Sequence, residues 1–157
     1  MLKDLIRLSM QNVERDQDVS LKLFIVLSRA FEAIEKQIIK NVKEYGLNLT
    51  EFAVLELLFH KGDQPIQKVG QKILLASSSI TYVIDKLENK NYLTRKACPT
   101  DRRVIYASIT DEGRKLMEDI FPKHKEAMSK IMGGLNTREK ELVTEKLKKL
   151  GLYAQQL

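Results

Sequence analysis

A mainly α fold with one small β-hairpin is what the 157-residue sequence predicts, and three observations carry the prediction. Apolar residues recur at three- and four-residue steps through most of the chain. Only the stretch from Leu93 to Ile109 switches to alternation with period 2. Seven glycines and three prolines are too few for a turn-rich all-β chain or a disordered one. The length suits one domain with a core of its own.

The first strong helix is expected from about Val19 to Tyr45. There Leu23, Leu27, Ala30, Phe31, Ile34, Ile38 and Val42 form one stripe, and Gly46 follows as a stop. Residues before Asp18 read as an ordinary extra helix, or else Met10 sits nearer the usual start. Thr50 is the expected N-cap of the next helix, with Leu49 and Val54 stapled across it. Phe52, Val54, Leu55, Leu57, Leu58 and Phe59 leave that helix apolar on most sides, hence buried, until Gly62. After Pro65 comes a short helix near Ile66 to Leu74. Ser77 should then cap a helix over residues 78–91.

Residues 93–97 and 104–109 read as two strands joined by the polar loop Cys98 to Arg103. Thr110 caps a long helix whose first turn carries Asp111 and Glu112, suited to the positive end of a helix dipole. That helix bears Leu116, Ile120, Ala127 and Ile131, with a kink expected at Pro122 and a stop at Gly133-Gly134. Asn136 followed by Glu139 starts a last helix with Leu142, Val143, Leu147 and Leu150. Three regions follow: helical at 1–45, helix-turn-helix with hairpin at 46–110, and helical again at 111–157.

Composition excludes several functions. One cysteine, Cys98, rules out a disulfide framework and a multi-cysteine zinc site. Two histidines, no glycine-rich phosphate loop and no nucleophile–base pair leave no catalytic residues, no metal site and no cofactor to expect. His124 reads as surface and His60 as a cation at a helix C-terminus. No apolar run approaches the ~20 residues of a membrane span, and the acid-bearing N-terminus lacks a secretory pattern, so a cytoplasmic protein is expected.

The net charge is +6, and five of those six charges fall between Lys68 and Arg103. Eight cations there face only Asp85, Glu88 and Asp101. Concentrated charge of this kind points to a polyanion partner. The elements say which: two short helices joined by a tight turn, then a hairpin, make a winged helix-turn-helix. In its second helix Ile80, Val83, Ile84 and Leu87 must face the core. Ser77, Ser78, Ser79, Thr81, Tyr82 and Lys86 are left for base edges and phosphates of double-stranded DNA. Lys68, Lys72, Arg95, Arg102 and Arg103 add phosphate contacts, the last two from a projecting arm suited to a narrow minor groove. Leu23, Leu27, Leu135, Leu142, Leu147 and Leu150 exceed what a small winged domain can cover. A homodimer on a pseudopalindromic operator is therefore expected.

From Leu47 to Ile109 the sequence resembles the MarR family of bacterial transcriptional regulators. The most specific signature is Asp101-Arg102-Arg103, followed by a strand and Thr110-Asp111-Glu112-Gly113. The resemblance extends over about residues 20–150. It is closest to the quinone-responsive, methylhydroquinone-regulator-like branch in segments 46–65 and 95–104. It implies that the first and last two helices interleave with a second subunit, and that Asp101 orients the wing arginine, Arg103 or Arg102. It also implies a crevice between helical and winged regions, where Phe24, Phe31, Phe52, Phe59 and His60 receive a small phenolic or quinone-like effector. The function expected is a repressor of nearby genes released by that effector. Two other classes stand beside it. One is a regulator switched by oxidation of Cys98, whose thiol Arg95, Lys96 and the arginines would acidify. The other is a winged-helix adaptor that no longer binds DNA.

Overall fold

The computed structural model describes the backbone of residues 2–73, 80–98, 100–101 and 103–157, and the side chains from residue 12 onward within those ranges. The chain forms two compact units, residues 1–37 and 38–157. Its first helix, α1 (Leu2–Lys43), begins well before Val19. Residues 2–18 contain no glycine or proline and are rich in leucine, arginine and other good helix formers, so nothing stops the helix there. Gly46, with φ +71°, closes the turn that follows. In the first unit Leu23 and Phe31 of the predicted stripe are exposed, as is Phe24 beside them. In the second unit Val42 is buried and Ile38 packs against the core.

The second unit opens with α2 (Leu49–Lys61), and its cap differs from expectation. Asn48, not Thr50, is the N-cap. Its Oδ1 accepts from the Glu51 amide at 2.8 Å, while the Asn48 amide donates to Glu51 Oε2 at 3.0 Å. This reciprocal box satisfies two end donors at once, which a threonine two residues further on cannot do. The flanking positions Leu47 and Phe52 are both buried, so they, rather than Leu49 and Val54, occupy the staple positions. As expected, Val54, Leu55 and Leu58 are fully buried.

A two-residue strand, β1 (Gln64–Pro65), follows Gly62 and precedes α3 (Ile66–Lys72). Next come α4 (Ile80–Asn89), β2 (Leu93–Ala97) and β3 (Ile105–Ile109). The hairpin therefore grows into a three-stranded antiparallel sheet in the order β1-β3-β2, with Gln64 opposite Ala107 and Arg95 opposite Ala107 on its other side. So short a strand, half of it proline, carries no period to read; Pro65 is tolerated because β1 lies at an edge. Val104 stays outside β3 because its amide closes the loop onto the Asp101 carbonyl at 3.0 Å.

Two further helices, α5 (Asp111–Ile131) and α6 (Thr137–Ala154), complete the chain. Thr110 caps α5 as predicted, accepting from the Gly113 amide at 3.1 Å and donating to the Asn91 carbonyl at 2.6 Å. Gly113 packs so closely that a Cβ there would lie 2.0 Å from the Tyr92 carbonyl oxygen. Met117 and Ile120 of α5 join Val69, Val83, Ile84, Leu87, Leu93 and Ala107 in the core. Asn136 and Glu139 form the expected capping box, and no residue of α6 is buried.

His124 is not a surface residue. It is 8% exposed, tilted on the Phe52 ring at 4.4 Å, with Nδ1 3.0 Å from Asn41 Oδ1. It lies one turn beyond Ile120, on the face of α5 that packs inward, and the one hydrogen bond makes its burial tolerable.

Candidate nucleic-acid interface

The winged region takes its shape from apolar spacing. Val83, Ile84 and Leu87 are buried and Ile80 packs beside them, which turns Thr81, Tyr82, Asp85 and Lys86 of α4 outward. Tyr82 is 55% exposed. Lys86 Nζ lies 4.7 Å from the centre of its ring, and hydrogen bonding to the Tyr82 phenol holds the ammonium above its ordinary pKa. An exposed aromatic beside a cation is a surface that can meet both a thymine methyl and a phosphate. Ser77, Ser78, Ser79 and Arg102 lie outside the described residues.

The remaining cations are placed unequally. Lys68 on α3 and Arg103 at the hairpin are exposed. Lys72 donates to Gln64 Oε1, and Gln64 in turn donates to the Asp63 carbonyl at 2.9 Å, so this lysine also braces the turn before α3. Arg95 lies along the surface between hairpin and helix: its guanidinium bridges Asp85 and Glu88 of α4, and its amide donates to Glu88 Oε1 at 3.3 Å. Hydrogen bonding to Asp85 above all raises the pKa of that guanidinium further above its ordinary value. Lys96 reaches Asp63 at 3.4 Å. Lys90 holds α4 to the start of α2, donating to the buried Glu51 at 3.0 Å and to the Gly46 carbonyl at 3.2 Å. Asp101 engages Arg103 through the backbone, its Oδ1 accepting from the Arg103 amide at 3.0 Å. It orders the loop that carries the arginine; this contact does not grip the guanidinium.

Cys98 Sγ lies 3.3 Å from Thr100 Oγ1. That hydrogen bond, with the amides of Thr100 and Asp101, lowers the thiol pKa. The direction matches the sequence expectation but the cause differs, since Arg95 is committed to two carboxylates.

The five expected effector residues are divided between the two units. Phe24 and Phe31 are exposed in the first unit, and Phe52 is in the core of the second. Phe59 and His60 do meet, at 5.0 Å, and His60 stands 4.5 Å from Phe121. Two cavities open beside these rings. One of about 400 Å³ is bounded by Phe52, Glu56, Phe121 and His124. The other, of about 330 Å³, is bounded by Glu56, His60, Lys61 and Lys72. Glu56 is common to both; burial raises its carboxyl pKa, and the neighbouring His60 opposes the rise. Burial alone lowers the pKa of His124. Sequence reasoning missed Glu56, Phe121 and His124. The available signal was Glu56 itself, an acid inside an otherwise apolar helix and one turn before His60. Among the described residues no group of three or more His, Cys, Asp or Glu could hold a metal, and no helix is long and apolar enough to cross a membrane.

The family model described as transcriptional regulator SarA/Rot matches residues 36–120. The HTH-type transcriptional regulator MhqR of Bacillus subtilis is 58% identical over 137 residues, covering 87% of this chain and 94% of its own. Among solved structures, AbsC, a MarR family transcriptional regulator from Streptomyces coelicolor, superposes with a TM-score of 0.79 at 18% identity, over 89% of this chain and 97% of that one. Bordetella bronchiseptica BpsR, solved for the regulation of its DNA binding by 6-hydroxynicotinic acid, gives a TM-score of 0.72 at 25% identity, over 80% and 90%. MhqR and AbsC are transcriptional regulators, and BpsR binds DNA; none is described as an enzyme.

Proposed function

We propose, from the premise that the chain belongs to the MarR family of DNA-binding transcriptional regulators, that it is a homodimeric repressor of nearby genes, released from a pseudopalindromic operator by a small phenolic or quinone-like effector. The observation that carries the reading is the outward face of α4. Burial of Val83, Ile84 and Leu87 presents Thr81, Tyr82 and Lys86 together, with the hairpin arginine Arg103 exposed as well. A helix reads base edges and the wing supplies a guanidinium, the division of labour a winged helix needs. We assign Lys68, Lys72, Lys86, Arg102 and Arg103 to phosphates, Tyr82, Thr81 and the serines 77–79 to bases, and Asp101 to ordering the loop.

Release by an aromatic effector is supported by the cavity beside Phe52 and Phe121, where a ring can stack while Glu56 and His124 offer polar partners. BpsR, whose DNA binding is regulated by 6-hydroxynicotinic acid, is a relative with that kind of ligand. The test is a duplex selected by the protein from randomised DNA, then challenged with a hydroquinone under reducing conditions. Dissociation that persists in Cys98→Ser supports effector binding. The lowered thiol pKa favours a second reading, a redox switch; release only by oxidant, lost in Cys98→Ser, would establish it instead.

A further inference from the structure

Arg95 is one of the eight cations of the basic stretch, yet its guanidinium is engaged by two carboxylates of the protein itself. Its guanidinium forks between Asp85 and Glu88, three residues apart on one side of α4, and its own amide donates to the same Glu88 carboxylate. These three bonds cross from the first wing strand to the second half of the recognition helix. They join the two elements that a winged helix must present to DNA in one fixed relation. The side chain is 28% exposed, while Asp85 and Glu88 are 54% and 37% exposed, so the clamp lies at the surface between helix and hairpin.

We infer that Arg95 is a positioning residue for DNA recognition, locking β2 and hence the hairpin arm to α4, and that it makes no phosphate contact of its own. The inference rests on the DNA-binding reading above. Three physical points carry it. A guanidinium satisfied by two carboxylates has little charge left to offer a phosphate. Its planar fork suits two acceptors held apart, which a lysine cannot reproduce. An arm fixed before DNA arrives loses less freedom on binding. The same bonds offset one of the two negative charges that Asp85 and Glu88 place beside Tyr82 and Lys86. One residue thus aligns the wing and reduces repulsion from the helix.

The two roles predict opposite outcomes for the acids. The assay uses a duplex selected from randomised DNA by the wild-type protein, with affinity measured at several salt concentrations. Arg95→Lys keeps the charge and should weaken binding on the order of tenfold, with the melting temperature little changed. Wild-type affinity in Arg95→Lys would overturn the inference. The double variant Asp85→Asn, Glu88→Gln removes two negative charges from the DNA-facing side, yet should also bind more weakly, with the salt slope unchanged. Tighter binding with a slope steeper by about two, one for each subunit of a dimer, would show Arg95 released onto a phosphate, and would equally overturn it. Hydrogen exchange of the DNA-free protein reads the clamp separately: the Arg95 amide should exchange faster in Glu88→Ala, which removes the acceptor, and an unchanged rate would refute the clamp. Failure of the wild-type protein to select any duplex would instead refute the DNA-binding reading, with the exchange experiment still deciding the clamp.

Discussion

At the scale of single residues, close approach and burial set the sharpest expectations. Gly113 is irreplaceable for a steric reason, since even an alanine methyl would sit 2.0 Å from the Tyr92 carbonyl. Backbone cannot yield as a flexible side chain can, so Gly113→Ala should cost about 1–3 kcal/mol or more in chemical denaturation. The buried His124 makes stability depend on pH. Its folded pKa lies below the unfolded value of about 6.5, so the unfolded state binds the proton more readily. The stabilisation is present above that pH and lost as pH falls through the folded pKa; His124→Gln should flatten this acid limb of a melting profile. Glu56 works with the opposite sign. Its carboxyl pKa is raised in the fold by burial, so its contribution is present at acid pH and lost as pH rises through the folded value. Glu56→Gln should therefore raise the melting temperature at neutral pH, and by less near pH 4. None of the three was legible as such in the sequence. Gly113 appeared only within a family signature, and the burial of His124 depends on Asn41, 83 residues away in sequence.

At the scale of elements, local signals were legible wherever they were redundant. Thr110 and Asn136 were readable caps because acids follow them at first-turn positions, and both caps form. The start of α2 was misread because Thr50 competes with Asn48, and only the position of Glu51 decides between them. Asn48→Ala should thus cost about 1 kcal/mol, whereas Thr50→Ala should change stability by less than about 0.5 kcal/mol; urea titration of both separates the two caps. Strand β1 stayed hidden because two residues have no period, and its partner β3 is 40 residues further along. Pairing across the chain also explains the different fates of similar cations. Nothing local distinguishes Arg95 from Arg103, but Asp85 and Glu88 reach only the former. Arg103→Ala should abolish specific operator binding with the fold intact, because α4 otherwise offers only hydroxyl, phenol and ammonium groups. Asp101→Ala should weaken binding although it removes a negative charge, since the Arg103 amide loses the carboxylate that orders its loop. Gel-shift titration at fixed salt checks both.

At the scale of the whole molecule, the unsolved quantity is apolar surface. Helix α6 buries none of its residues, and Leu142, Leu147, Leu150, Leu152 and Tyr153 are each at least 40% exposed. In the first unit Leu23, Phe24 and Phe31 are exposed by half or more. Such residues recur on both units far beyond scattered surface leucines, and apolar exposure on this scale points to an interface. A two-fold homodimer is the simplest cover, because an isologous interface buries the same patch twice with one set of contacts. Leu142→Glu with Leu150→Glu should then yield a monomer in light scattering at micromolar concentration, whereas the wild type scatters as a dimer. The consequence for DNA follows from symmetry. In such a dimer two copies of α4 and two hairpins should meet half-sites about one helical turn apart. With roughly six to ten phosphate contacts per dimer, affinity should fall on the order of a thousandfold between 50 and 200 mM salt. The monomeric variant keeps half the contacts, so its salt slope should drop to about half the wild-type value. A wild-type slope in a protein shown to be monomeric would mean that each chain alone supplies the full set of phosphate contacts, and the dimer would have no part in reading the operator.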